Sequence, residues 1–167
     1  MNDDFPILAA VAANPTHPYA LLEHLNELGI PATRSTLYRR VEALVAQGWL
    51  DADDIRGESG HLRRALTLTP AGRERLDRES ADALRTEPLE SPLFALAIGG
   101  ANSNRLAELA GVLRPRMATA ARRLTEEEHA LKSSTEENLD ATRTRRIAHL
   151  QADISWLQGL LGRRTVE

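Results

Sequence analysis

The spacing of apolar residues changes once in the first half of this chain, just after Gly48, and that change limits the folds open to it. Before it, apolar residues recur every three or four positions, the helical period; after it come two short runs that read as strands. Residues 5–13 (FPILAAVAA) predict a short apolar helix stopped by Asn14-Pro15. Residues 17–28 predict a second, with Thr16 as cap, Pro18 in the first turn and Gly29 as stop. Its apolar face is Leu21, Leu22, Leu25 and Leu28. Residues 35–47 predict a third, capped by Thr33 or Ser35 and ended by Gly48, with Leu37, Val41 and Leu44 on one face.

Residues 49–55 and 62–68 then read as a hairpin around the polar stretch Arg56-Gly57-Glu58-Ser59-Gly60-His61. Thr69-Pro70 opens a charged helix over 70–86, with a sparse stripe of Leu76, Ala83 and Leu84. Glu87-Pro88-Leu89-Glu90-Ser91-Pro92 is an extended linker, so a first domain over 1–86 and a second over 87–167 are expected. After the linker come an apolar segment, 93–98, and a turn at Gly99-Gly100. Two long helices follow, over 103–132 and 136–162. The first has Leu106, Ala110, Leu113, Met117, Ala120 and Leu124 in line, and Pro115 with Gly111 predicts a kink. The second carries a heptad seam of Ile147, Leu150, Ile154, Leu157 and Leu161. Two heptads suffice for a helix hairpin or for a dimer interface built from several helices.

Composition narrows the function. Cysteine is absent, which excludes disulfides, thiolate zinc sites and cysteine nucleophiles. Aromatics are 4% of the residues, so the core is aliphatic. No apolar run is long enough to span a membrane, and the acidic start, Asn2-Asp3-Asp4, is unlike a signal peptide; the sequence reads as a soluble, cytoplasmic protein. No phosphate-binding glycine loop, nucleophile elbow or His-Glu-x-x-His is present, so it does not read as an enzyme. The five histidines have no metal-ligand spacing, and neither a metal nor a cofactor is expected.

The net charge of −3 excludes a globally basic nucleic-acid coat, but the charge is uneven. Residues 33–48 and 56–64 are each basic by two, with Asp51, Asp53 and Asp54 between them. Helix, helix, helix, strand, loop, strand, helix is the order of a winged helix-turn-helix. The fold class is therefore mainly α, an α+β winged helix followed by a long-helix domain.

In such a fold the third helix enters the major groove of double-stranded DNA and the hairpin is a wing. With Leu37, Val41 and Leu44 inward, Ser35, Arg39 and Glu42 point outward, and Thr36 and Tyr38 lie on the flanks. Arg39 has the fork to bind guanine bidentately. Ser35, Thr36 and Tyr38 suit phosphates, and Arg34 and Arg40 suit either role. Arg63 and Arg64, beside His61, suit backbone phosphates from the wing. His17 and Tyr19 read as braces of the second helix. Phe94 and Trp156 read first as packing residues and second as walls of a pocket for a hydrophobic or aromatic effector.

Residues 7–72 resemble the PadR family of bacterial transcriptional regulators. The resemblance rests on His17-Pro18-Tyr19-Ala20-Leu21, on Thr36-Leu37-Tyr38 with Val41 and Leu44 following, and on Gln47-Gly48-Trp49-Leu50. It continues through Arg63-Arg64-Ala65-Leu66-Thr67-Leu68-Thr69-Pro70-Ala71-Gly72. Pro18 stands where the family has glycine, and Ala65-Leu66 replaces an aromatic pair. Ala152-Asp153-Ile154-Ser155-Trp156-Leu157 resembles the tail of larger members more weakly. The resemblance implies a homodimer joined by the C-terminal helices, a palindromic operator, repression, and in some members release by small aromatic compounds. The alternative is a winged-helix dimer whose basic face has drifted, serving protein interaction without sequence-specific DNA binding.

Overall fold

The computed structural model describes residues 4–13, 17–56, 62–100, 106–134 and 137–162. Its elements are α1 (Phe5–Ala13), α2 (Pro18–Glu27), α3 (Arg34–Ala46), β1 (Leu50–Arg56), β2 (Leu62–Leu68), α4 (Pro70–Thr86), α5 (Pro92–Gly100), α6 (Leu106–Lys132) and α7 (Glu137–Gly162). They form two compact units, Met1–Asn102 and Ser103–Glu167.

In the first unit α1 is apolar on every side and has no face to give to water. All its residues from Phe5 to Val11 are buried, and α2, α4, α5 and β2 pack around it. α3 turns Leu37, Val41 and Leu44 inward, as their spacing requires. α3 ends at Gly48, whose φ of 73° suits a residue without a Cβ. The amide of Gly48 donates to the Val45 carbonyl (2.9 Å) and that of Trp49 to the Leu44 carbonyl (3.0 Å), which closes the helix end. α2 starts differently from expectation. Its cap is His17, whose Nδ1 accepts the Ala20 amide at 3.1 Å, while Thr16 lies outside the described residues.

β1 and β2 pair antiparallel, from Leu50 opposite Leu68 to Arg56 opposite Leu62. A two-stranded ribbon is marginal alone. This one is anchored by Leu50 and Leu66, both fully buried. Three helices, a hairpin and a closing helix make this unit a winged helix-turn-helix. The expected wing tip, including His61, and the side chain of Arg63 lie outside the described residues.

The expected boundary at 86/87 differs from the break between the two units, because residues 92–100 form a helix and not a short segment with a turn. α5 packs on α1 and α4, with Phe94 and Ala97 fully buried. Its near-continuous apolar sequence, LFALAI, needs more cover than a linker would give it.

The second unit is a helix hairpin. Near the α6–α7 connection, Glu127 accepts from Arg146 at 3.1 Å and lies 4.0 Å from Arg143, which also donates to Ser134 Oγ at 3.2 Å. Leu109, Leu113 and Leu157 are buried. Ile147, Leu150, Ile154 and Leu161 are half-buried. Pro115 lies inside α6, where it has no amide to offer the preceding turn.

The tightest point of the first unit is Gly72, where a Cβ would run into the Trp49 carbonyl oxygen. That oxygen also accepts the Thr69 amide at 3.2 Å, so it is not free to move away. Gly72→Ala is therefore expected to destabilise the fold by about 3 kcal/mol or more. Urea unfolding beside the wild type measures this; an unchanged midpoint would contradict the packing described.

Candidate nucleic-acid interface

The outer face of α3 is built from its cap upward. Thr33 Oγ1 accepts the Thr36 amide at 3.4 Å, and the two hydroxyls lie 3.0 Å apart. This holds the first turn of α3 with Ser35, Thr36 and Arg39 exposed to solvent. Arg39 makes no ion pair with any described residue. Glu42 is exposed farther along the helix. Arg34 is exposed, and its guanidinium lies 5.6 Å from the centroid of the half-buried Tyr38 ring, within cation–π range.

Arg40 has a different place. Its Nη1 donates to Asp4 Oδ1 at 3.1 Å, and Asp4 Oδ2 accepts from Arg75 Nη2 at 3.1 Å. Arg75 is buried on α4, donates from Nε to Glu79 at 2.8 Å, and lies 3.5 Å from the centroid of the Trp49 ring. Arg40 thus joins a structural ion cluster rather than the outer face. The helical wheel carries the signal for this. Arg40 lies roughly 60° from the Leu37–Val41–Leu44 line, whereas Arg39 lies about 160° from it.

Between the start of α2, α3 and β2 is a cleft of about 390 Å³ lined by His17, Pro18, Tyr19, Tyr38, Val41, Glu42 and Arg64. Arg64 is exposed on β2, opposite Asp54 in the strand register. Tyr19, expected to brace α2, is instead 54% exposed. Glu23, first through hydrogen bonding and then through its charge, raises the phenol above its ordinary pKa of 10.0, while Arg34 pulls the other way. So the His17–Tyr19 segment brings the start of α2 to the same surface as Tyr38 and Arg64. Nothing in its spacing distinguishes a brace from a surface residue.

The two residues considered for an effector pocket are in different units. Phe94 is fully buried in the core beside α1 and α4, in keeping with its first reading as a packing residue. Trp156 is 46% exposed on α7. Among the described residues, no group of three His, Asp or Glu side chains could hold a metal, and no helix is long and apolar enough to cross a membrane.

A winged helix-turn-helix with an exposed, capped third helix is the architecture of a class of transcriptional regulators. Residues 7–78 match the model of the transcriptional regulator PadR-like family. Among solved structures, the chain is similar to Bacillus subtilis PadR in complex with operator DNA, at 16% identity and a TM-score of 0.44, covering 96% of this chain and 98% of that one. It is also similar to Bacillus subtilis PadR in complex with p-coumaric acid, at 16% identity and a TM-score of 0.37, covering 100% of both chains. No curated protein matches it.

The Thr33 cap supports the face on which Ser35, Thr36 and Arg39 stand. Thr33→Ala is expected to cost about 1 kcal/mol of stability, the usual worth of such a cap. Thermal unfolding measures it, and a variant as stable as the wild type would show that the cap contributes nothing.

Proposed function

We propose that this protein is a homodimeric, DNA-binding transcriptional repressor that reads a palindromic operator. The observation that carries this reading is the outer face of α3. Arg39 stands exposed and unpaired among the described residues, beside Ser35 and Thr36. In this reading Arg39 makes the base contact and Ser35, Thr36, Tyr38 and Arg34 hold phosphates. Arg64 contacts the backbone from the wing, with Arg63 and His61 assigned the same role from the sequence. Arg40 is left to its ion pair with Asp4.

Dimerisation is assigned to the α6–α7 hairpin. Leu157 is already covered within the chain. Ile147, Leu150, Ile154 and Leu161 are half-buried, and Leu139 and Trp156 are each 46% exposed, so α7 retains apolar surface for a second copy. Two winged helices joined this way would address half-sites about one DNA turn apart. A hydrophobic or aromatic effector that releases the DNA is assigned to the surroundings of Trp156; a panel of such compounds that leaves operator affinity unchanged would remove this part.

Selection of bound sequences from random duplex DNA, wild type beside Arg39→Ala, tests the core of the reading. The expected result is an enriched palindrome for the wild type, with one position in each half-site relaxed by the substitution. At that position the discrimination lost should be about 1–3 kcal/mol. No enrichment from a folded wild-type dimer at low salt would favour a protein-interaction module instead.

A further inference from the structure

We propose that the first unit holds a site for a medium-chain aliphatic carboxylate. The site is the cavity between the starts of α1 and α5, the α2–α3 turn and the inner flank of α3, and the ligand's carboxylate takes Arg40 from Asp4. The site itself is independent of the DNA-binding reading; only its effect on DNA rests on that reading.

The cavity measures about 390 Å³, within the size of small-molecule sites, about 300–1,000 Å³. Its lining has two kinds of surface. Thr33, Thr36 and Arg40 come from α3, spaced by three and four, so they form one polar stripe along the helix. The α1, α2 and α5 contributions are aliphatic: Ile7 and Leu25 are almost fully buried, and Leu93 is half-buried at the start of α5. A methylene chain seated there removes its own surface and theirs from water. No aromatic ring lines the cavity, so a flat ligand has nothing to stack on. Among the described residues that line it, Arg40 is the one charged side chain. The chemistry selected is therefore an aliphatic body with one anionic end. At roughly 30 Å³ for each group of water size, the cavity holds about a dozen such groups, a carboxylate with about ten carbons.

The ion cluster admits the anion without stranding a charge. Asp4 is shared: Oδ1 accepts from Arg40 and Oδ2 from Arg75, both at 3.1 Å. Arg75 also has Glu79. When the ligand replaces Asp4 on Arg40, Asp4 keeps Arg75, so no buried charge loses its last partner. A guanidinium binds either carboxylate in the same way. The exchange undoes the ion pair that joins the start of α1 to α3, and the ligand's chain lies beside Thr33 and Thr36, whose hydroxyls meet at the cap of α3. Occupancy thus bears on α3, and if α3 reads DNA, it should weaken operator binding.

The test is calorimetry on the full-length protein with alkyl carboxylates and the matching alcohols, below micelle-forming concentrations. From about four to about ten carbons, affinity is expected to rise about three- to fourfold per methylene, then level off as the cavity fills. Octanoate should bind at least about tenfold more tightly than 1-octanol, because it alone makes a charge-assisted bond to Arg40. Arg40→Gln should abolish that preference. Asp4→Asn, which removes the competitor, should increase it. A general loss of stability would not move the two partners of one ion pair in opposite directions. Leu93→Trp fills the cavity and leaves the charges in place; it should abolish binding. Saturating decanoate should lower operator affinity at least about fivefold in the wild type and leave Leu93→Trp unchanged.

No heat from any carboxylate, equal affinity for octanoate and 1-octanol, or binding retained in Leu93→Trp would overturn the site. Operator affinity unmoved by bound decanoate would overturn its coupling to α3. A wild type that binds no DNA would overturn the DNA-binding reading, while calorimetry would still decide the site.

Discussion

The buried guanidinium of Arg75 is the interaction on which the arrangement of the first unit depends. A charge taken out of water must be paired and hydrogen-bonded, and removing one partner of such a pair typically costs about 3–5 kcal/mol. Here the partners come from separate parts of the chain. Glu79 is one turn along α4, Trp49 stands at the base of the hairpin, and Asp4 lies at the start of α1. Asp4 then reaches Arg40 on α3. A single charge on the closing helix thus fixes the wing base, the central helix α1 and α3 relative to one another. The Gly72–Trp49 contact adds a steric lock at the same place, and Thr69 Oγ1, donating to the Gly48 carbonyl at 2.6 Å, ties the end of α3 to the start of α4.

Much of this fold was legible because local rules and packing agree. Gly48 as stop, Thr33 and Thr69 as caps and Leu37-Val41-Leu44 as the inner line of α3 each follow from a residue's own chemistry, and each is present. Elements were missed where tertiary cover decides. Pro92–Gly100 ends in two glycines, opens on a proline and follows another at Pro88, so local signals favour a turn; its helix is stabilised by burial against α1 and α4. The same burial removed Phe94 from the surface.

The exposed face of α3, the candidate interface, was legible in part for a similar reason. Arg39 is outward by periodicity alone, which needs no knowledge of what lies elsewhere. Arg40 differs from it by one position, yet its partner Asp4 is 36 residues away. No spacing rule connects an acidic residue before α1 to the flank of α3. Tyr19 was obscured in another way: an aromatic ring on a short helix reads as packing, and only its neighbours show that it stands in an open cleft with Tyr38 and Arg64.

The scarcity of aromatic residues has a practical consequence. The chain has two tryptophans, and they fall in different compact units: Trp49 beside the Arg75 guanidinium and Trp156 on α7. Intrinsic emission therefore carries two separable signals, one sensitive to the ion cluster that holds the winged helix together and the other to the helix hairpin. Replacing either indole by phenylalanine would leave a chain in which the melting of one unit is seen without the other, so whether the two halves unfold as one cooperative block can be read optically.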